Sequence, residues 1–288
     1  MEASASSLTD GHILRCGRFV LMLDCPRIMG IVNITPDSFS DGGAFLDAQR
    51  AVDHAHRLVE EGADLLDLGA ESTRPGAAPV SADEELDRLL PVLTALARLE
   101  VPISIDTSKP VVMREAMQAG AAMINDVNAF RAAGAIEALA KTAAALCVMH
   151  MRGEPRTMQA HPTYVDVVGE VDAFLRERIA ALADAGVAHD RIAIDPGFGF
   201  GKNLDHNLAL LRALQQFSSA GVAVLVGLSR KSMLGNITGR PAHERLPASI
   251  AAALLAVERG AQIVRVHDVA ATRDALAILA AVQRADPD

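Results

Sequence analysis

The sequence predicts an α/β fold, a (β/α)8 TIM barrel preceded by an N-terminal β-hairpin, and three observations support this. Eight short apolar stretches recur along the chain, and polar residues stand at or near their ends again and again. Segments with a helical spacing of apolar residues separate them, which favours parallel strands joined by covering helices. The chain has 288 residues, enough for one such barrel, and no break in composition marks a second domain.

The hairpin is the first predicted element. It covers residues 12–25, ahead of the first barrel strand, and we expect the chain to turn near Gly17. Residues 1–11 are expected to be flexible. Residues 1–288 as a whole are expected to form a single domain.

The eight barrel strands follow in order. They are predicted at residues 28–34, 65–70, 102–107, 122–127, 146–151, 191–197, 222–229 and 262–268. The helical pattern after the first strand consists of Ala48, Val52, Ala55 and Val59. These residues line one face at the 3.6-residue period, as expected for a helix that covers the sheet. An open doubly wound sheet is the alternative arrangement.

The composition indicates a soluble, cytoplasmic protein. The net charge is −9 and no basic run is present, which argues against a nucleic-acid surface. The N-terminus does not have the pattern of a signal peptide. The most apolar run, residues 250–257, stops at Glu258 and is too short to span a membrane. Cys16, Cys25 and Cys147 lack metal-binding spacing, so reduced thiols are expected.

In a barrel the carboxyl ends of all strands open on one face, where the active sites of TIM barrels lie. The residues at the predicted strand ends should therefore converge there. They are Asn33, Asp67, Asp106, Asn125, Met149, Asp195, Ser229, Arg265 and His267. A single strand-end aspartate is more often a helix cap, but this explanation weakens for the whole set.

The stretch IDPGFGFGK, residues 194–202, places three glycines before a lysine but lacks the spacing of a nucleotide-binding loop. A phosphate loop requires glycine in place of Pro196 and Ser or Thr in place of Asn203. A dinucleotide-binding turn requires wider glycine spacing. We expect Asp195 at a strand end, followed by backbone that bends sharply and approaches a ligand closely. A plain turn is the alternative.

The predicted rim combines two kinds of chemistry. Asp106, Asn125 and Asp195 offer hydrogen-bonding groups that suit the edge of a flat heterocycle. Arg265 and His267 suit a phosphate or pyrophosphate group.

Two long polar loops, residues 32–43 and 71–80, follow the first two strands, and Arg74 in the second adds another cation. Such loops are ordinarily connectors, but after adjacent barrel strands they favour mobile lids over the rim.

Eight stretches in this order resemble the dihydropteroate synthases, the pterin-binding enzymes of folate biosynthesis. They are MGIVNITPDSFSDGG, ESTRPGA, SIDTSKP, INDV, MHM, DPGFGFGKN, GLSRKS and RVHDV. One departure is Ala70, where the family often has glycine. The resemblance implies a TIM barrel that condenses 6-hydroxymethyl-7,8-dihydropterin diphosphate with p-aminobenzoate. The products would be 7,8-dihydropteroate and pyrophosphate.

The resemblance also implies roles for individual residues. Asn33 would ligate Mg²⁺, the implied cofactor, carried by the pyrophosphate. The role of Asp67 stays open, because a carboxylate at that strand end could simply order the loop. The implied catalytic residues are Lys231, Asp106, Arg265 and His267. The implied substrate-binding residues are Thr73, Arg74, Pro75, Phe39, Asp106, Asn125, Met149, Asp195, Phe200, Gly227, Lys231, Ser232, Arg265 and His267. A homodimer is implied as well, with residues 248–257 as the helix expected to be buried on more than one side.

Two other functions stay open on the residues alone. A pterin-binding methyltransferase domain, which passes a methyl group to a corrinoid partner, would share the barrel and the pterin edge. The two polar loops and Lys231 argue against it, because a methyl carrier has no pyrophosphate to hold. A non-catalytic pterin- or phosphate-binding barrel is the other alternative. Degenerate loops would indicate that function, and these loops are intact.

Overall fold

The computed structural model describes residues 13–34, 43–72, 79–153, 158–159 and 162–284. The strands of this part of the chain are β1 (Ile13–Cys16), β2 (Phe19–Met22), β3 (Arg27–Asn33), β4 (Leu65–Gly69), β5 (Ile103–Asp106), β6 (Met123–Asp126), β7 (Ala145–Met149), β8 (Ile192–Asp195), β9 (Ala223–Val226) and β10 (Ile263–Val266). β1 and β2 pair antiparallel, and β3 to β10 form a closed parallel barrel. Because β10 pairs with both β3 and β9, the sheet is closed and the open alternative is excluded. The predicted hairpin and barrel are confirmed.

The barrel strands alternate with helices. These are α1 (Gly43–Glu60), α2 (Ala82–Leu96), α3 (Pro110–Gln118), α4 (Ala135–Leu139), α5 (Val167–Asp184), α6 (Leu204–Arg212), α7 (Ser232–Thr238), α8 (Leu246–Glu258) and α9 (Val269–Arg284). One helix follows each barrel strand except β9, which is followed by α7 and α8. Within the described residues, no helix is long and apolar enough to cross a membrane.

Several helices begin where the sequence supplies a cap. The Ser81 side chain accepts a hydrogen bond from the Glu84 amide at the start of α2. The Asp166 side chain accepts one from the Val168 amide at the start of α5. Asn203 accepts one from the His206 amide at the start of α6. These side chains satisfy amide groups that a helix leaves without an internal partner.

The hairpin closes the amino-terminal end of the barrel, which we call the barrel floor. Gly17 turns the chain with φ of +59°, and its amide donates to the Ala143 carbonyl at 2.9 Å. The buried side chains of the floor are Leu14, Cys16, Leu23, Met29, Leu65, Ala122, Met123, Ala145, Cys147, Ala193, Ala223, Leu225 and Ile263. These side chains are all apolar or thiol-bearing, so the floor is a packed core.

A second, larger core fills the space between the strands and the helices. In α1, Ala55 is fully buried, and Ala48, Val52 and Val59 pack against this core. The helical face predicted there is therefore confirmed.

Candidate active site

The carboxyl ends of the strands form the opposite end of the barrel, which we call the barrel mouth. Asp106 and Asp195 are the last residues of β5 and β8. Asn125 lies in β6, next to its end, and Arg265 lies in β10. Parallel strands bring these positions to one face of the barrel, as the sequence predicts.

Arg265 links several of these residues. Its Nε donates to Asp67 Oδ2 at 2.6 Å, and its Nη2 donates to Asp106 Oδ2 at 3.3 Å. Asn125 Nδ2 donates to the same Asp67 oxygen at 3.2 Å. Burial lowers the pKa of the guanidinium, but the Asp67 and Asp106 carboxylates outweigh burial and raise the pKa above its ordinary value. Arg265 therefore stays charged.

Burial makes it unfavourable to keep the carboxyl groups of the mouth ionised. Burial and the neighbouring Asp67 carboxylate raise the pKa of Asp106 to about 7, although Arg265 opposes this rise. Two buried oxygens, Asp67 Oδ1 and Asn125 Oδ1, have no hydrogen-bond partner among the described residues. Buried polar atoms in native proteins normally find a partner, so these oxygens are suited to accept from a ligand.

Asp195 ends β8 and is 5% exposed. Its Oδ1 accepts from the Gly197 amide at 2.7 Å. A Cβ atom added to Gly227 would lie 4.0 Å from Asp195 Oδ2 and 3.9 Å from the Arg265 side chain. The absence of a side chain at position 227 therefore keeps the space between Asp195 and Arg265 open. Burial raises the pKa of Asp195, against the opposing effect of Lys231.

Lys231 precedes α7 and reaches back to the glycine loop, residues 196–201. Its Nζ donates to the Phe198 carbonyl and lies 4.3 Å from the centre of the Phe200 ring. Burial lowers its pKa to about 8, although Asp195 favours the charged form. Ser232, the first residue of α7, is exposed beside it.

An apolar wall adjoins these polar groups. Met149 packs with Val127, Met151 and Met158, and Phe200 packs against this cluster. Met149 and Phe200, two of the implied substrate-binding residues, thus lie together.

The three glycines of the loop have positive φ angles. A Cβ atom at Gly197 would overlap the His150 carbonyl oxygen, and one at Gly201 would overlap the Arg152 carbonyl oxygen. At Gly199 it would lie 3.2 Å from Lys231 Cδ. The glycines therefore let the loop pack against the chain that follows β7.

The predicted anion-binding residues lie on neighbouring strands. His267 follows β10, and Ser229 Oγ lies 2.9 Å from its Nδ1. Asn33 ends β3, which pairs with β10. Arg265, His267 and Asn33 thus occupy one sector of the mouth.

The second polar loop is anchored at its two ends. The Val80 amide donates to Glu71 Oε1 at 3.0 Å, and Lys109 donates to the side chains of Glu71 and Glu85. Ala70, which departs from the family pattern, is 1% exposed and does not have a positive φ. Alanine is therefore compatible with the backbone there. Four predicted site residues lie outside the described part of the chain: Phe39, Thr73, Arg74 and Pro75.

Sequence reasoning places Asp67 at the mouth without its contacts and misses Lys202. Asp67 lies in the middle of β4 and contacts Arg265 and Asn125. Lys202, the last residue of the glycine-rich stretch, is 3% exposed and hydrogen-bonded within the site. A charged residue inside the apolar pattern of β4 is the signal that indicates a buried partner for Asp67.

Comparisons with known proteins agree with this geometry. Residues 29–267 match the family described as pterin binding enzyme. The dihydropteroate synthase of Neisseria meningitidis serogroup B is 53% identical over 93% of this chain and 96% of its own length. Xanthomonas albilineans dihydropteroate synthase, solved with 4-aminobenzoic acid, is 52% identical with a TM-score of 0.91, covering 96% of this chain and all of the other. The Burkholderia cenocepacia enzyme, solved with 7,8-dihydropteroate, is 53% identical with a TM-score of 0.86, covering 95% of this chain and 97% of the other. The chain therefore belongs to the pterin-binding enzymes and, among them, to the dihydropteroate synthases.

Proposed function

We propose that this dihydropteroate synthase joins 6-hydroxymethyl-7,8-dihydropterin diphosphate to p-aminobenzoate by a dissociative substitution. The observation that carries the proposal is the division of the mouth into an acceptor sector and a cation sector. Asp195, Asn125 and Asp106 supply the first, and Arg265 and His267 supply the second. Relatives solved with 4-aminobenzoic acid and with 7,8-dihydropteroate support the same substrate and product for this chain.

The acceptor sector fits the hydrogen-bonding edge of a pterin. That edge presents an amino group and a ring N–H, both donors, and the acceptor sector offers buried oxygens of Asp195 and Asn125, with Asp106 completing it. A charged acceptor that pairs with two neutral donors gives strong, oriented hydrogen bonds. The Met149 and Phe200 cluster supplies the apolar surface against which the flat ring would lie.

The cation sector fits the diphosphate. Arg265 and His267 would bind the phosphate oxygens, and Asn33 would contribute an amide oxygen to Mg²⁺. Among the described residues, no group of three His, Cys, Asp or Glu side chains is arranged to hold a metal ion. A single amide oxygen suits Mg²⁺, which keeps several waters and is often held through substrate phosphates. When bound, Mg²⁺ would neutralise part of the diphosphate charge.

In the reaction, the bond between the pterin methylene carbon and the diphosphate oxygen breaks, and the electron pair leaves with diphosphate. The electron-rich pterin stabilises the resulting cation, so no strong nucleophile or base is needed from the protein. The amine nitrogen of p-aminobenzoate then bonds to the methylene carbon and loses one proton. The chain holds the ring with Asp195, stabilises the leaving anion with Arg265 and excludes water that would capture the cation. Lys231, over Phe200, would contact the pterin carbonyl side and the aminobenzoate.

The aminobenzoate site is proposed to close last. Thr73, Arg74 and Pro75, with Phe39, would cover this substrate once pyrophosphate is bound. Calorimetry should then show p-aminobenzoate binding only in the presence of pyrophosphate and Mg²⁺. Equal binding in their absence would contradict this order.

A homodimer is proposed through α8. Its inner face is buried, but Leu246 and Leu255 on the same helix are 39% and 41% exposed, and Ile237 of α7 is 56% exposed. A helix that is apolar on all sides is normally covered. Analytical ultracentrifugation should show a dimer that Leu255→Glu dissociates, whereas a concentration-independent monomer would contradict the proposal.

The function is tested by a direct assay. Purified protein with Mg²⁺, the pterin diphosphate and p-aminobenzoate should release pyrophosphate and form dihydropteroate in equal amounts. Omission of either substrate is the control. A protein that binds a pterin but forms no dihydropteroate would be the non-catalytic barrel, and transfer of a methyl group to a corrinoid would indicate the methyltransferase.

A further inference from the structure

Lys202 is buried within the glycine loop and its four close partners are neutral groups. Its Nζ lies 2.9 Å from the Gly197 carbonyl oxygen and 3.0 Å from that of Phe200. It lies 2.9 Å from His150 Nδ1 and 3.3 Å from the His150 carbonyl oxygen. An ammonium group has three donors and no acceptor, so it is suited to a cage made only of acceptors.

The four acceptors around Lys202 Nζ form a cage, and this cage includes backbone groups that would otherwise repel one another. The carbonyl oxygens of His150, Gly197 and Phe200 all point at one atom, and each carries a partial negative charge. The loop turns through three glycines with positive φ to make this arrangement. A cation at the centre offsets the repulsion and ties the loop to the end of β7.

The loop held in this way carries the contacts of two predicted substrate-binding residues. The Gly197 amide fixes one oxygen of Asp195 at 2.7 Å. The Phe198 carbonyl accepts from Lys231, and the Phe200 ring lies under the same ammonium group. A shift of the loop would therefore displace the groups proposed to hold the pterin and the aminobenzoate.

The positive charge of the buried Lys202 side chain is energetically unfavourable. Burial lowers the pKa of Lys202 to about 7, with Asp195 favouring the charged form and Lys231 opposing it. Burial and the nearby ammonium lower the pKa of His150 to about 3, so this imidazole is neutral and its Nδ1 can accept. An apolar side chain of similar length would avoid this desolvation cost but would leave the three carbonyl oxygens without their donor.

We propose that Lys202 is a positioning residue for the reaction, because its ammonium group holds the glycine loop in the geometry that orients Asp195 and Lys231 toward the substrates. The inference rests on the proposed pterin-binding role of this mouth. Lys202 itself does not touch substrate in this account. It acts through the backbone of residues 197–200.

The test compares Lys202→Met, which removes the ammonium group, with Lys202→Gln, which keeps an N–H donor group in the cage. Lys141→Met is the matched control, since Lys141 is exposed. Three quantities are measured for each protein: hydrogen exchange of residues 195–203 by mass spectrometry, the affinity for the fluorescent pterin-6-carboxylate, and the affinity for pyrophosphate with Mg²⁺. Asp195→Asn is included as the test of the pterin site itself.

In Lys202→Met, the amide hydrogens of residues 195–203 should exchange faster. The affinity for the pterin should fall about 10-fold or more, the size expected when about one charged hydrogen bond between the mouth and the pterin is lost. Its pyrophosphate affinity should stay within about twofold of wild type. Lys202→Gln should recover part of the pterin affinity, and Lys141→Met should match wild type.

Unchanged exchange and pterin affinity in Lys202→Met would overturn the proposal. A parallel loss of both affinities with melting temperature, or failure of both position-202 variants to fold, would show a general structural role and also overturn it. If wild type and Asp195→Asn bind the pterin equally poorly, the proposed function fails. The exchange data then still decide whether Lys202 holds the loop.

Discussion

The two ends of the barrel are built from the same eight strands but differ in chemistry. The floor is closed by the hairpin and contains buried apolar and thiol side chains, with Leu14 and Cys16 reaching in from β1. Burial raises the pKa of Cys16 to about 12, so the thiol stays protonated. At the mouth, Asp67, Asp195 and Lys202 are buried charged residues. The floor therefore contributes stability, and the mouth holds groups that stability alone would not select.

This comparison separates two kinds of mutational effect. Substitutions in the floor should lower the free energy of unfolding and leave the kinetics of the folded fraction unchanged. Substitutions in the mouth should alter substrate binding and turnover. Their effect on the free energy of unfolding should depend on the charge that they remove or leave without a partner.

Arg265→Met should have the largest effect. It removes the proposed partner of the diphosphate and leaves Asp67 and Asp106 without their shared cation. We expect kcat/KM to fall by about 10³-fold or more, as when a preorganised charge at a leaving group is lost. Steady-state kinetics and pyrophosphate calorimetry measure this. Retained pyrophosphate affinity would show that the cation sector is wrongly assigned.

Asp195→Asn should weaken pterin binding specifically. Oδ1 can still accept from the Gly197 amide, but the other oxygen becomes a donor that faces a donor of the pterin. The expected loss is about 2–5 kcal/mol of pterin binding, and pyrophosphate affinity should be unchanged. Separate titrations with a pterin and with pyrophosphate check this. Normal pterin affinity would reduce Asp195 to a residue that caps the turn.

Leu14→Ala tests the floor. Leu14 is fully buried in the cluster that the hairpin closes. The substitution should lower the free energy of unfolding by about 2–4 kcal/mol through lost burial and a cavity. Urea unfolding measures the change, and Val20→Ala, at an exposed hairpin position, is the control. A change in KM for the pterin in the folded variant would mean that the two ends are coupled.

The sequence predicts the barrel because each strand is a local apolar stretch with a polar end. Asp106, Asn125 and Asp195 could be placed at the mouth for the same reason. Lys202 could not, because its burial depends on the glycine loop folding back on His150, which is 52 residues away in the chain. The contacts of Asp67 were also missed. A position in the middle of a strand does not show which residue of another strand it contacts, and Arg265 is 198 residues away in the chain.

The smallest expected effect is on pH dependence and concerns Asp106. Burial and Asp67 raise its pKa to about 7, so the folded protein keeps a proton that the unfolded chain loses near pH 4. Between about pH 4 and 7 the folded state binds more protons, so stability falls as pH rises.

Asp106→Asn should remove this fall in stability. The difference in the free energy of unfolding between the variant and wild type should therefore favour the variant by about 1–2 kcal/mol more at pH 7.5 than at pH 4.5. Asp106 interacts with both Asp67 and Arg265, so its replacement also changes the ionisation of these neighbours, which is why the full pKa shift is not expected. Urea unfolding at the two pH values measures the difference, with Glu177→Gln, at an exposed position of α5, as the control. If the variant loses stability relative to wild type as pH rises, the Asp106 carboxylate stabilises the mouth. The distinction between a floor that stabilises the fold and a mouth that lowers its stability would then not hold for the ion pair of Asp106 and Arg265.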